Sequence, residues 1–337
     1  MKSWLVTTFV LILALFGGTE FYGNNTVLYA WLIGGWATIA WGIWLLLKHK
    51  VPLFTILKWP LLAVLLSTVV NYQIIDYSLS RLWLYALAVA VLAISSVHLD
   101  DKQIFDGIYW AGWLWPGIML AAFYLGWWDH RNIVSFWAMI FIAVGLSKRA
   151  WIYIAPHVLV LFFLDSGSRS GILGTIVAVG VVMWPYLRLR LRTVGLCIPL
   201  VAAGLAALIA WRPESAWIRM YYWESAISAF GTNPVFGVGP GGLKALQFIP
   251  EMNLHQIHAH NALVSWLAET GLVGLTGLVT AGGKLLALRP RMPRYVLAIL
   301  AGILAYSMVD EPLFWPGPLL FLALVASTIH WSRDHGR

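Results

Sequence analysis

An all-α, polytopic integral membrane helical bundle of about 12 transmembrane helices is the fold that the sequence predicts, on three observations. The 337 residues are 61% hydrophobic and only 11% charged, far below the roughly one-quarter charged residues of a soluble domain. Apolar runs of about 15 to 25 residues recur along the whole length between short polar or Pro/Gly-rich joints, as expected of helices that satisfy their own backbone inside lipid. Lys and Arg divide unequally between alternate sides of those runs.

In order, the runs begin with 4–18, 26–47 and 59–75, the last two separated by Lys48, Lys50 and Lys58. Runs 80–98 and 105–125 follow, with Lys102 between them, then 132–147 and 151–164 around Lys148 and Arg149. Runs 171–187 and 193–211 flank the RLRLR of 188–192, and 261–283, 295–309 and 314–331 complete the set. The shorter runs require tilt or local bilayer thinning to span. With the N-terminus inside, sixteen of the 22 basic residues face the cytoplasm, and only Arg81, Arg131, Arg169, Arg212, Arg219 and Lys244 lie outside. Both termini are then cytoplasmic, 1–337 forms a single membrane domain, and the longest loop, 212–260, is extracytoplasmic.

The charge pattern also excludes some functions. The net charge of +8 is dispersed at the ends of runs, which argues against a nucleic-acid partner and makes RLRLR a topology anchor touching anionic lipid. The first run is followed by others and reads as an anchor, with no cleaved secretory signal. Cys197, the sole cysteine, excludes an intramolecular disulfide and a cysteine-cluster metal site, and reads as packing. Most of the 21 Trp and 13 Tyr read as interfacial anchors. Nothing implies a cofactor or an obligate protein partner.

Two outer regions carry polar residues that require explanation. In FLDSGSRSG, 163–171, Arg169 stands at a membrane boundary between Ser168 and Ser170. It reads either as a cation snorkelling to lipid phosphate or as a planar five-donor group capturing a phosphate or pyrophosphate, with Asp165 orienting it or capping a helix. The segment 215–230 patterns as an interfacial amphipathic helix, on which Arg219 and Trp223, four apart, share a face. Surface anchoring is the alternative for Arg219. GTNPVFGVGPGG, 231–242, holds five glycines and two prolines but no Gly-Lys-Ser/Thr ending, so it reads as a turn folding back rather than a nucleotide loop.

HQIHAHN, 255–261, places His255, His258 and His260 within six positions. A zinc site is one reading, but no His-Glu-x-x-His spacing accompanies the three, and Glu251 and Glu269 bear no diagnostic relation to them. His260 differs from the other two in standing at a helix entry. Its imidazole can take a proton near neutral pH, and Asn261 can cap the helix or fix the ring. Catalytic base and structural cap both remain open at this point.

Three stretches together, SRSG at 168–171, RMYYWESAISAFGTNPVFGVGPGG at 219–242 and HNALVSWLAETGLVG at 260–274, resemble the O-antigen ligase and polymerase superfamily, closest to its ligase-like branch. The last stretch is the most specific: His260-Asn261, nine intervening residues, then Gly271-x-x-Gly274. The resemblance implies an enzyme of the bacterial inner membrane with a periplasmic active face. Such an enzyme moves a glycan from a polyprenyl pyrophosphate carrier to lipid A-core or another glycolipid or glycan acceptor, with inversion and without a metal. It further implies His260 as the catalytic histidine and Arg169 and Arg219 as donor-binding groups that also stabilise the leaving pyrophosphate, while Asn261 and Trp223 complete the substrate site. A lipid-linked oligosaccharide polymerase, a protein O-glycosyltransferase and a non-enzymatic permease are the alternatives.

Overall fold

A computed structural model describes residues 2–16, 25–49, 51–124, 131–161, 168–185, 213–246, 248–249, 254–255, 258–288, 292–311 and 316–331. The first helices are α1 (Lys2–Phe16), α2 (Asn25–Lys48), α3 (Pro52–Val70), α4 (Ile75–His98) and α5 (Asp101–Tyr124). Next come α6 (Arg131–Ser147), α7 (Trp151–Leu159), α8 (Arg169–Met183), α9 (Pro213–Thr232) and α10 (Gly242–Leu246). A two-residue antiparallel pair, β1 (Phe248–Ile249) with β2 (Leu254–His255), precedes α11 (Ala262–Leu288), α12 (Arg294–Ser307) and α13 (Pro316–Trp331).

α6 is the axis of the bundle. It is apolar all round, and every residue from Ile133 to Leu146 is buried, as such a helix must be. Trp137 and Phe141 stack on this helix and meet Trp115 of α5, while Phe321 of α13 closes edge-on against Trp137. α8 and α12 cross closely because small residues meet: a Cβ on Gly302 would lie 3.0 Å from the Gly174 carbonyl oxygen and 3.1 Å from Ala178 Cβ.

The helical class stands, with the small β pair added, but the expectation of about 12 transmembrane helices does not. Among the described residues two helices are long and apolar enough to cross a membrane, Ser78–His98 and Ala262–Leu288. These coincide with two of the expected runs. Among the described residues seven further apolar helical stretches count 10–17 residues each, fewer than the ~20 apolar residues that a span needs. The physical reason is that an apolar window counts residues and does not detect where a helix stops. The run 295–309 yields only the fourteen residues of α12. The run 193–211, RLRLR, Cys197 and Asp165 lie outside the described residues.

The break inside α11 shapes the functional region. Gly271 has φ 65° and ψ −160°, a conformation essentially restricted to glycine, and interrupts the helical ladder. The backbone groups released there pair with the glycine-rich turn. Leu272 N–H donates to Pro234 O at 2.9 Å and Val273 N–H to Val235 O at 3.1 Å, while Val238 and Gly239 N–H donate to Ala268 O and Glu269 O at 2.9 and 3.0 Å. Ser67 Oγ of α3 donates to Glu269 O at 2.7 Å, and Asn71 Nδ2 to Gly237 O at 3.0 Å, which stitch the turn to a third helix. A Cβ on Gly271 would collide with the Val235 carbonyl and sit 2.6 Å from Gly237 N. Gly271→Ala is therefore expected to cost about 1–3 kcal/mol from backbone conformation alone, with the collision adding to it. Thermal unfolding in detergent measures this, and an unchanged melting temperature would refute it.

Candidate functional site

His260 stands two residues before α11, in the link from β2, with φ 52°, a left-handed conformation that turns the chain into the helix. Asn261 makes that entry rigid. Its Oδ1 accepts from Leu263 and Val264 N–H at 3.0 and 3.2 Å, and its Nδ2 donates to Met308 O at 2.9 Å. Asn261 N–H donates to Glu311 Oε1 at 3.0 Å. The Ser265 hydroxyl, one turn into α11, donates to the same Glu311 oxygen and accepts from Ala259 N–H at 2.7 Å. Asn261 thus caps the helix, and the ring of His260 is fixed by another residue.

That residue is Asp310, just past α12. His260 Nδ1 lies 3.0 Å from Asp310 Oδ1, which also accepts from Glu311 N–H at 2.9 Å. Burial works against the Asp310 carboxylate, but the hydrogen bond and charge of His260, the Glu311 N–H and His258 outweigh it and hold the carboxyl below its usual range. An ionised carboxylate only accepts, so Nδ1 carries the hydrogen, and in the neutral form of the ring the lone pair is on Nε2. The rings of Tyr222 and His258 lie 5.1 and 4.3 Å from that of His260, His258 edge-on at 80°. Burial first, then the proximity of His260 and the charge of Arg81, push the His258 imidazole down to about 3 against the pull of Asp310.

The same turn of α12 reaches α8. Asp310 N–H donates to Tyr306 O at 3.0 Å, and the Tyr306 hydroxyl donates to Asn132 O beside Ser135. Ser135 Oγ donates to Ser168 Oγ at 2.7 Å, and Ser168 caps α8 by accepting from Gly171 N–H at 3.2 Å, with Ser170 Oγ 3.2 Å away. Arg169 is the first residue of α8, so its cation adds to the positive end of a fifteen-residue helix. Arg169 and His260 therefore flank the same end of α12. Arg219 is half-buried on the inward face of α9, one turn before Tyr222. Trp223 on that face packs against Ala226, Ala229, Val238, Leu243, Ala259 and Ala268, while Trp217, Met220 and Ile227 are exposed.

Of the expected site residues, His260, Asn261 and Trp223 lie around the start of α11, Arg219 shares the α9 face of Tyr222, whose ring meets His260, and Arg169 is linked to Asp310 through the Ser168, Ser135 and Tyr306 contacts. The backbone of His255 pairs with Phe248, and its side chain lies outside the described residues. Asp310 and Glu311 escaped sequence reasoning because they lie 50 residues beyond the groups that they hold. The legible signal was two adjacent acids, DE at 310–311, at the end of an apolar run, where burial demands partners.

Glu311 carries a pH signature. Burial, with Glu269 and Asp310 adding to it, pushes its carboxyl up to about 8 against the hydrogen bonds from Ser265 and Asn261. The folded chain then holds this proton up to about pH 8, while an ordinary carboxyl loses it near 4.5, so stability falls as pH rises between those values. Glu311→Gln keeps an oxygen for both donors and removes the titration. Its melting temperature is expected to decline less than that of the wild type between about pH 6 and pH 9, and parallel declines would refute the assignment.

Residues 154–279 match the sequence model of the O-antigen ligase family, a stretch that contains Arg169, Arg219, Trp223, His260, Asn261 and the Gly271/Gly274 pair. The match makes this part of the chain similar to the O-antigen ligase family, a likeness consistent with enzymatic activity on glycan or lipid-linked substrates in general. Asp310 and Glu311 lie beyond it. No curated protein matches the chain. The two candidate spans, together with a membrane-associated family, point to membrane association.

Proposed function

We propose that the chain is an O-antigen ligase-like glycosyltransferase that moves a glycan from a polyprenyl pyrophosphate carrier to lipid A-core or a related glycolipid, on the periplasmic face of the bacterial inner membrane with both termini cytoplasmic. The observation that carries this reading is the His260–Asp310 pair, 3.0 Å apart, beside the Arg169 end of α8 and the Arg219 face of α9. The exposed Trp217, Met220 and Ile227 suit α9 to a lipid interface, where a carrier lipid presents its headgroup.

The chemistry follows from these positions. An acceptor hydroxyl attacks the anomeric carbon while His260 Nε2 takes its proton, and Asp310 stabilises the imidazolium that results. As the anomeric carbon–oxygen bond breaks, its electron pair passes to the pyrophosphate. Arg169 and Arg219 stabilise that developing charge more than they stabilise the ground state. One displacement inverts the anomeric carbon, and the two guanidinium groups fill the leaving-group role without a metal. Asn261, whose polar groups hold the helix entry, positions His260, and Trp223 supplies an aromatic wall.

Purified full-length protein in lipid nanodiscs, given a polyprenyl pyrophosphate-linked glycan, should label core glycolipid with inverted configuration. Extension of the lipid-linked glycan alone would make the chain a polymerase, and labelling of an acceptor peptide a protein glycosyltransferase. Retention of configuration would overturn the single displacement. Glycolipid movement in vesicles without any transferred product would make it a permease.

A further inference from the structure

His258 has no task in the transfer chemistry, yet its ring is withdrawn from solvent and packed edge-on against His260 at 4.3 Å. One ring nitrogen of each histidine and one Asp310 oxygen all lie within 4.8 Å of one another. Two imidazoles and a carboxylate form the donor set of open zinc sites, which provide three protein ligands and leave a fourth position free. A tetrahedral zinc with bonds of ~2.0–2.1 Å needs donors about 3.3 Å apart, so the three donors, all within 4.8 Å of one another, have to draw together by no more than about 1.5 Å. The backbone supports such a closure, because α11 and the end of α12 are already tied together through Asn261 and Glu311.

We propose that His258, His260 and Asp310 form a zinc-class transition-metal site that inhibits the enzyme. The inhibitory part rests on the transferase reading above. A metal held there takes a nitrogen lone pair of the ring that would accept the acceptor proton, and competes with that ring for Asp310. A metal on Nδ1 moves the ring hydrogen to Nε2, the atom that would otherwise accept the acceptor proton. The ion acts as a plug on the base, and metal-free protein is the active form.

The test uses full-length protein in nanodiscs with zinc and cobalt(II) as probes. Cobalt should produce the visible absorption of a tetrahedral site in wild type, and micromolar zinc should displace it. His258→Ala, outside the transfer machinery, should lose that spectrum and keep metal-free turnover. At a zinc concentration that lowers wild-type turnover on the order of tenfold, this variant should retain most of its activity, as removal of one of three ligands predicts. No cobalt spectrum below millimolar, inhibition of His258→Ala equal to that of wild type, or stimulation by zinc would each overturn the proposal. A cobalt spectrum lost in His258→Ala, in protein inactive with every donor, would retain the metal site while refuting the transferase reading.

Discussion

Replacing His260 with alanine is expected to lower glycan transfer by on the order of 10²–10⁴-fold, the loss that follows removal of a positioned general base. Nδ1 is committed to Asp310 at 3.0 Å, which leaves Nε2 as the single nitrogen able to receive a proton. Because His260 has φ 52°, alanine there also strains the backbone, so a second variant must accompany the first. His260→Asn tolerates the left-handed conformation, retains hydrogen-bonding groups and has no base. Both variants should be inactive, with His260→Asn unfolding near the wild-type temperature. Asp310→Asn should retain the ring but lower kcat more than it raises KM, because an amide that donates to Nδ1 favours the wrong tautomer. Near-normal turnover of His260→Asn would sink the general-base role and leave the imidazole as a structural turn.

Part of this site was legible in the sequence because its signals are local. A His-Asn pair before an apolar run identifies a helix entry, and Asn261 caps Leu263 and Val264 as its position implies. The resemblance drawn from HNALVSWLAETGLVG is found again in the family match over 154–279. The reason for Gly271 was not legible. Its two-glycine spacing marks a helix break only once the 234–239 turn is seen to occupy the groups that the break releases. Asp310 was missed for the same reason, since the His260 contact joins segments 50 residues apart.

The number of membrane spans failed differently. Hydropathy over 4–18, 132–147 or 295–309 reflects residues that are indeed apolar, but apolarity alone does not distinguish a helix buried in protein from one crossing lipid. α6 illustrates the ambiguity: it is buried from Ile133 to Leu146 by its neighbours, so its hydrophobicity is spent on protein contacts. Length, hydropathy and charge together marked two helices among the described residues, and length depends on caps, prolines and breaks that a window averages away.

Replacing Arg169 or Arg219 with alanine should cost roughly 2–4 kcal/mol of transition-state stabilisation, on the order of 10²–10³-fold in kcat, the effect of losing one well-placed donor to a developing anion. The two should not be equivalent. Arg169 begins α8 above the Ser135, Ser168, Ser170 and Tyr306 hydroxyls, so its loss leaves a helix N-terminus that still attracts a phosphate. Arg219 lies mid-helix on α9, where no such end supports the anion, and its replacement should weaken donor binding as well as turnover. Lysine should restore charge but not the planar two-pronged contact, and so should recover binding before it recovers rate. Donor affinity measured beside single-turnover rates separates the effects. An Arg219→Ala variant with wild-type kcat and donor affinity would remove that guanidinium from the site, and the same result at Arg169 would make it a lipid anchor at the membrane boundary.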